Sequence, residues 1–265
     1  MYDYIQEIQK FNPYHGKDGR FASSTGYASF TIRTKDPKKQ HMADMAIQRE
    51  KERHAAAIAN PTNDPDTIAG VKRGQPMTHE QADQGNANPN HGNFRDYSRN
   101  CQSCVVAYEA RLRGYDVEAK GKNGYNQIQN SLSRDGSIAW KDPATGEQAK
   151  RLVNEPNIRT AKQMHKWLDN NTEDGARYTF GHGWRGTSGH TGHVISVTKE
   201  GGKLKLFDPQ DGKNYTGKAV DDYMGQIRGT ANVGGQTVGR LRLLRIDNMQ
   251  LDASVANAVL KGAGQ

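Results

Sequence analysis

The sequence contains no apolar run approaching the roughly 18 residues that a membrane-spanning helix needs, so no membrane span is expected. Its opening, "MYDYIQEIQKFNPYHGKDGR", lacks the basic stretch followed by an apolar core that marks a secretory leader. Cysteine is almost absent. Cys101 and Cys104 are the only two in 265 residues, too few to staple the chain, and a pair three apart on a helix makes a poor structural disulfide. Both thiols are therefore expected to be reduced. Apolar residues are also scarce, at 34% with a mean hydropathy of −0.94, which is too lean for one core packed throughout. A compact domain carrying a loosely ordered extension is expected instead. Acidic charge is in deficit against 37 Lys and Arg, leaving a net charge of +8. That balance attracts nucleic acid, acidic proteins or anionic membrane surfaces.

Residues 1–35 read as turns and loop, typified by "FNPYHGKDGRFASSTG". The stretch "DPKKQHMADMAIQREKERHAAAIAN" predicts a helix over about 37–59, capped by Asp36, with Pro37 in its first turn and Asn60-Pro61 as its stop. Its Met, Ile and Ala residues set among dense charge suit docking or oligomer contact. The runs "PTNDPDTIAG" and "GNANPNHGNFRD" are rich in Pro, Asn and Gly and place a flexible boundary near residue 93. The expected organisation is an extension over 1–93, a compact domain over 94–250 and a tail over 251–265. Within the domain a helix over 101–113 should end at Gly114, a residue suited to the left-handed C-terminal position. A short strand in "YDVEAK" and a polar helix or loop to about 133 follow. A second helix, 157–170, is read from Ile158, Ala161, Met164, Trp167 and Leu168 at helical spacing. Strands then dominate, in "ARYTFGHGW", "HVISVTKEGGKLKLFDPQ" and "GRLRLLRID". A helix first and an antiparallel sheet after it define an α+β class.

The two thiols sit at the start of the first helix of that domain, in "NCQSC". Asn100 is a favoured N-cap residue, which makes Cys101 the first helical residue. Unpaired backbone N–H groups and the positive end of the helix dipole stabilise a thiolate there. Cys104 then falls on the inward stripe with Val105, Tyr108 and Leu112, where a thiol acts as a small apolar group. Ser103 is an alternative cap, which would put Cys104 at the helix start and make it the nucleophile. A zinc site is a further rival: the C-x-x-C pair supplies two ligands, and two of His182, His190 and His193 would have to complete it.

"HVISVTKEGGKLKLFDPQDG" reads as two β-forming runs joined across Gly201-Gly202. With a two-residue loop His193 faces Gln210 and Asp208 is its diagonal neighbour. With a four-residue loop His193 faces Asp208 directly. Both registers place the two side chains on one face of the sheet, about 5 to 7 Å apart at Cβ, whereas a three-residue loop would separate them. A carboxylate beside one imidazole nitrogen fixes the tautomer and leaves the other nitrogen to take a proton from a thiol.

The segments "NCQSCVVAYEARLRGYDVEA", "GHVISV" and "KLFDPQDG" resemble the papain-fold toxin family described as glutamine deamidases, over roughly residues 94–250. The resemblance implies a papain-like cysteine hydrolase fold, with a nucleophile helix packed on an antiparallel sheet, and no cofactor or metal. It implies Cys101 as nucleophile, His193 as base and Asp208 as its partner, with Gln210 in support. The oxyanion would be held by the Cys101 backbone N–H and a side-chain amide such as Asn100 or Gln102. A protein substrate in a target cell is the implied partner, with an immunity protein as a further one. "FNPYHGKDGRFAS" resembles a short segment of phage head-morphogenesis proteins. It suggests synthesis in a bacterial cytoplasm without a signal peptide, then association with a virion or delivery into a target cell, with a phage head component as another partner. A papain-like cysteine protease would use the same residues. A basic phage structural or nucleic-acid-binding protein without catalysis is the reading from a different class.

Overall fold

The computed structural model describes residues 64–83, 86–186 and 192–264, together with Pro37, Gln40, His41 and Met45. Those four residues are helical. The rest of the helix expected over 37–59, its Asp36 cap and the "FNPYHGKDGRFAS" segment lie outside the described residues. The chain divides after Pro61, and the folded unit runs from Thr62 to Gln265.

Its helices in chain order are α1 (His79–Asp83), α2 (Cys101–Leu112), α3 (Gln127–Arg134), α4 (Ala161–Asn170), α5 (Lys218–Gln226) and α6 (Ala253–Val259). The early strands are β1 (Thr67–Ile68), β2 (Val71–Lys72), β3 (Val117–Ala119), β4 (Trp140–Lys141) and β5 (Leu152–Val153). The long ones follow: β6 (Arg177–Trp184), β7 (Gly192–Glu200), β8 (Lys203–Asp208) and β9 (Lys213–Thr216). The chain then adds β10 (Ile227–Arg228), β11 (Thr230–Val233), β12 (Gln236–Gly239), β13 (Arg242–Arg245), β14 (Gln250–Leu251) and β15 (Leu260–Gly262). The main sheet is antiparallel, in the order β5-β13-β6-β7-β8-β9, with β10 also pairing with β6.

Alternation along the strands gives this sheet two buried faces. Phe180, Ile195, Val197, Leu204 and Leu206 pack with Met164 and Leu168 of α4 and with Val220, Tyr223 and Met224 of α5. Phe207 and Leu244, from the opposite row, join Cys104, Val106 and Tyr108 of α2, and the Tyr108 and Phe207 rings lie 4.6 Å apart. The result is the expected α+β arrangement, a helix laid on an antiparallel sheet.

Three expectations differ from what is observed. The folded unit does not begin near residue 94. The β1–β2 hairpin and α1 precede that point, and Ile68, Ala82, Ala87 and Asn88 are buried. Nor do residues 251–265 form a detached tail, because α6 buries Val255, Ala256 and Val259 and β15 pairs with β3. Composition marks both segments as loop-like, yet each carries a few apolar residues that the core needs. The helix expected from 157 starts at Ala161, where Thr160 and Gln163 form a reciprocal capping box. The strand β9, the helix α5 and the β11–β12 hairpin were not read from the sequence.

Helix α2 is buried from Ser103 through Leu112, so its charged residues need partners inside the protein. Glu109, 1% exposed, accepts from Arg113 Nε at 2.9 Å and from Arg177 Nη2 at 2.7 Å. Arg113 also reaches Asp64 at 2.9 Å and the carbonyls of Ile246 and Met249, with its guanidinium 5.4 Å from the Trp140 ring centroid. At the end of the helix Gly114 adopts φ 102, and a Cβ there would sit 2.4 Å from the Gly74 carbonyl oxygen, so only glycine fits.

Burial pushes the Glu109 carboxyl up, but Arg177 and Arg113 overcome it and hold the group down at about 2. A depressed carboxylate contributes stability that is present above its ordinary value of 4.5 and is lost as pH falls through about 2. Glu109→Ala leaves two arginines facing a vacated buried site, and denaturant unfolding should show a loss of about 3–5 kcal/mol at pH 7. The gap between the two proteins should narrow on acidification over that window.

Candidate active site

Helix α2 starts at Cys101, and its first backbone bond runs from Cys104 N to the Asn100 carbonyl at 3.1 Å. Asn100 therefore occupies the expected cap position and the Ser103 register is excluded. Its side chain makes no capping bond. Asn100 Nδ2 donates to Asn88 Oδ1 and to the Lys120 carbonyl, both at 3.1 Å, while Oδ1 accepts from Asn88 Nδ2 at 3.4 Å and from Cys104 Sγ at 3.3 Å. Cys101 is half-buried at the helix mouth. Cys104 is fully buried, and burial, followed by the nearby charges of Cys101 and Asp208, pushes its thiol well above the ordinary thiol range. Both cysteines are free. Among the described residues no group of three or more His, Cys, Asp and Glu is arranged to hold a metal ion, and His190 lies outside them.

The β7–β8 hairpin turns through Gly201 and Gly202, both with positive φ (57° and 73°), as a two-residue loop between right-twisted strands requires. Pairing of Glu200 with Lys203 and of Ser196 with Phe207 follows from that loop, and it makes His193 and Asp208 diagonal neighbours on one face. Their side chains meet, with His193 Nε2 2.5 Å from Asp208 Oδ2. Asp208 is steadied in turn by the Gln210 backbone N–H, which donates to Oδ1 at 2.9 Å. With Nε2 engaged, Nδ1 is the nitrogen left for Cys101, which lies within interaction range of the His193 ring. Burial works to lower the His193 pKa, but the hydrogen bonds to Asp208 and Cys101 outweigh it and push it up to about 10. The ring is thus an imidazolium, held by Asp208 and close to Cys101.

Aromatic rings enclose it. Trp184 stacks on His193 at 5.6 Å with planes 25° apart, and His182, its cross-strand partner, meets it edge-on at 5.9 Å. His182 Nε2 pairs with Tyr223 Oη at 2.7 Å, while its Nδ1 is buried without a hydrogen-bond partner. Burial, with the His193 charge adding to it, lowers the His182 pKa to about 3, so this second imidazole stays neutral.

The site residues named from the sequence separate into groups. Cys101, His193 and Asp208 come together. Cys104 turns into the core. The Gln102 side chain lies with its Oε1 over Gly136. The Asn100 amide is committed to its neighbours. Neither is placed as an oxyanion donor, and the amide nearest the Cys101 N–H belongs to Gln210. The backbone N–H groups of Asn100 and Cys101 can only donate, so the Gln210 oxygen is oriented toward them, at 3.0 and 3.1 Å. Asn88 was missed. It donates to the Gln210 carbonyl at 2.9 Å and to the Tyr97 carbonyl at 2.9 Å, tying the start of α2 to the loop after β8. Its signal was hidden in "GNANPN", a run whose composition says linker. His182 was weighed only as a metal ligand, and Trp184 and Tyr223 carried no signal of their own.

No curated protein matches the chain. Residues 99–213, a span that holds Cys101, His193 and Asp208, match the family model described as papain fold toxin 1, glutamine deamidase; the match does not reach the N-terminal segment. Over that span the chain resembles the papain-fold toxin family of glutamine deamidase type, and its fold is the papain-like α+β fold.

Proposed function

We propose that this chain is a papain-like cysteine amidohydrolase that deamidates glutamine side chains of a target protein. The observation that carries the reading is the meeting of Cys101, at the first turn of a buried helix, with an imidazolium that Asp208 holds at 2.5 Å. Cys101 Sγ, as thiolate, attacks the side-chain carboxamide carbon of the substrate. The tetrahedral intermediate collapses as His193 passes its Nδ1 proton to the departing nitrogen, releasing ammonia and leaving a thioester. Water, deprotonated by the now neutral His193, attacks that thioester to release glutamate and restore the thiol pair. Asp208 fixes the ring. Trp184 and His182 keep bulk water off the imidazole.

The tetrahedral oxyanion needs donors beside Cys101 Sγ. The Gln210 oxygen rests on the Cys101 N–H at 3.1 Å, where the substrate oxygen would bind. In the reaction the substrate oxygen displaces it, and a half-turn of the Gln210 amide offers Nε2 as the second donor.

The first test is intact-mass measurement of proteins exposed to the enzyme, because deamidation replaces NH2 by OH in an unbroken chain whereas proteolysis shortens it. Cys101→Ala should abolish the change, by more than about 10⁴-fold in rate, while Cys104→Ala retains it. Peptide fragments in place of mass-shifted whole chains would sink the deamidase reading and leave a protease.

The raised His193 pKa predicts an alkaline limb in kcat/KM near pH 10, where the imidazolium is lost. Asp208→Asn removes a raising hydrogen bond and should move that limb to lower pH. Stability follows the same sign: the contribution of a raised histidine is whole below its ordinary value of 6.5 and is lost as pH rises through about 10.

Gln210→Glu keeps the side-chain shape and both accepted N–H bonds but removes the donor. It should lower kcat by about 10²-fold or more with little change in KM, the signature of a contact made only in the transition state.

A further inference from the structure

We propose that the mouth of α2 carries a docking surface for an acidic segment of the target protein, beside the glutamine that is deamidated. The inference rests on the deamidase reading and adds the substrate class to it. Three contacts bring the relevant chain together around Cys101. The Lys122 N–H donates to the Asp96 carbonyl at 2.9 Å, Asn100 Nδ2 donates to the Lys120 carbonyl at 3.1 Å, and the Tyr97 ring packs against Gly121. They hold the 94–99 turn against the 120–125 loop at the N-terminal end of α2. The Gln102 side chain over Gly136 brings the end of α3 to the same place.

Charge on this surface is one-sided. Between residues 94 and 135 the carboxylates Glu109, Asp116, Glu118 and Asp135 are each spent on an arginine or lysine. Only exposed Asp96 remains. Against it stand Arg95, Arg99 and Arg134, all exposed and without a carboxylate partner among the described residues, and Lys120 and Lys122. Both lysines donate to neutral groups, Lys120 to the Asn257 carbonyl and Lys122 to the Gln129 carbonyl and Ser133 Oγ. Burial lowers the Lys122 pKa, Cys101 raises it, and Arg99 and Arg134 lower it further, so each of the three lies within electrostatic reach of Lys122.

Apolar contact is available in the same patch. Phe94 is 63% exposed and Tyr125 97% exposed, an unusual state for aromatic rings in a folded unit that buries Trp140 and Phe180. Exposed aromatics flanked by arginine are the side chains that anchor protein interfaces. Unpaired cations next to them select a partner bearing carboxylates and speed its encounter.

The test uses fluorescein-labelled peptides with one central glutamine, flanked by glutamates, by serines or by lysines. Anisotropy with the full-length Cys101→Ala chain separates binding from turnover. The glutamate peptide should bind roughly tenfold more tightly than the serine peptide and the lysine peptide most weakly, with the differences shrinking as salt is raised. Arg99→Glu with Arg134→Glu should bring the three affinities close together. Lys166→Glu with Lys203→Glu makes the same charge change on α4 and the hairpin and should keep the order. Equal binding of the three peptides by the Cys101→Ala chain without these changes overturns the proposal, as does an order that Arg99→Glu with Arg134→Glu leaves unmoved in a protein that still melts cooperatively. So does an oligothymidylate of equal charge that binds more tightly than the glutamate peptide, which would make this a nucleic-acid surface. Ammonia release by the unmutated enzyme distinguishes the two readings. Peptides bound in the expected order but never deamidated overturn the deamidase reading and leave the docking surface standing.

Discussion

The constraint on which the rest depends is the burial of α2 on nearly every side. Such a helix would ordinarily be apolar throughout, yet this one carries buried Glu109 and Arg111 and ends on a buried Arg113 cap. A buried carboxylate is tolerable only when paired and fully hydrogen-bonded. Glu109 meets that condition by binding Arg113 on its own helix and Arg177 at the start of β6. Arg113 extends the cluster to Asp64 and to the turn at 246–249. One carboxylate thus joins α2, the main sheet and segments before and after them in sequence. These contacts supply geometry more than net energy, because the desolvation of each charge offsets most of its attraction. They set where α2 lies on the sheet, and through that where its first residue, Cys101, meets β7.

A second network, wholly uncharged, sets the finer geometry. Asn88, Asn100 and Gln210 come from three separated stretches and close on one another through their amides and backbone carbonyls. Two consequences follow for the candidate site. The Asn100 side chain is removed from the reaction and holds the Cys104 thiol in the core. The loop after β8 is held so that the Gln210 N–H donates to Asp208, which orients His193. The neutral His182 beside it completes an arrangement in which two imidazoles 5.9 Å apart have opposite charge states. Separation of titratable neighbours in this way is what acid–base chemistry near neutral pH requires.

Much of the site was legible because its signals are local. A cap residue before "CQSC" sets the first helical position, and that placed Cys101 at the mouth and Cys104 one turn inside. The two-residue and four-residue turns weighed for Gly201-Gly202 both put His193 and Asp208 on one face, and the two-residue turn is the one observed. The fold was less legible at its margins. Asn88, α1 and the last strand sit in stretches whose Pro, Asn and Gly content reads as linker or tail, and their order comes from distant partners: Asn88 from Gln210, β15 from β3. The capping box at Thr160 was readable and was passed over in favour of the apolar spacing, which moved the start of α4 by several residues.

By itself the sequence determined the helix that presents Cys101, the hairpin that pairs His193 with Asp208, and the excess of positive charge. Each follows from backbone geometry or composition within a few residues. Tertiary structure alone decided that Cys101 and His193 come together, that the Asn100 amide is spent on Asn88 and Lys120, and that Gln210 lies over the Cys101 N–H. It also gathered Arg95, Arg99, Lys122 and Arg134 around one helix end. Those are contacts between residues up to 110 apart, and no local periodicity or spacing encodes them. They exist because the buried charge of α2 must meet partners that lie on distant strands and turns.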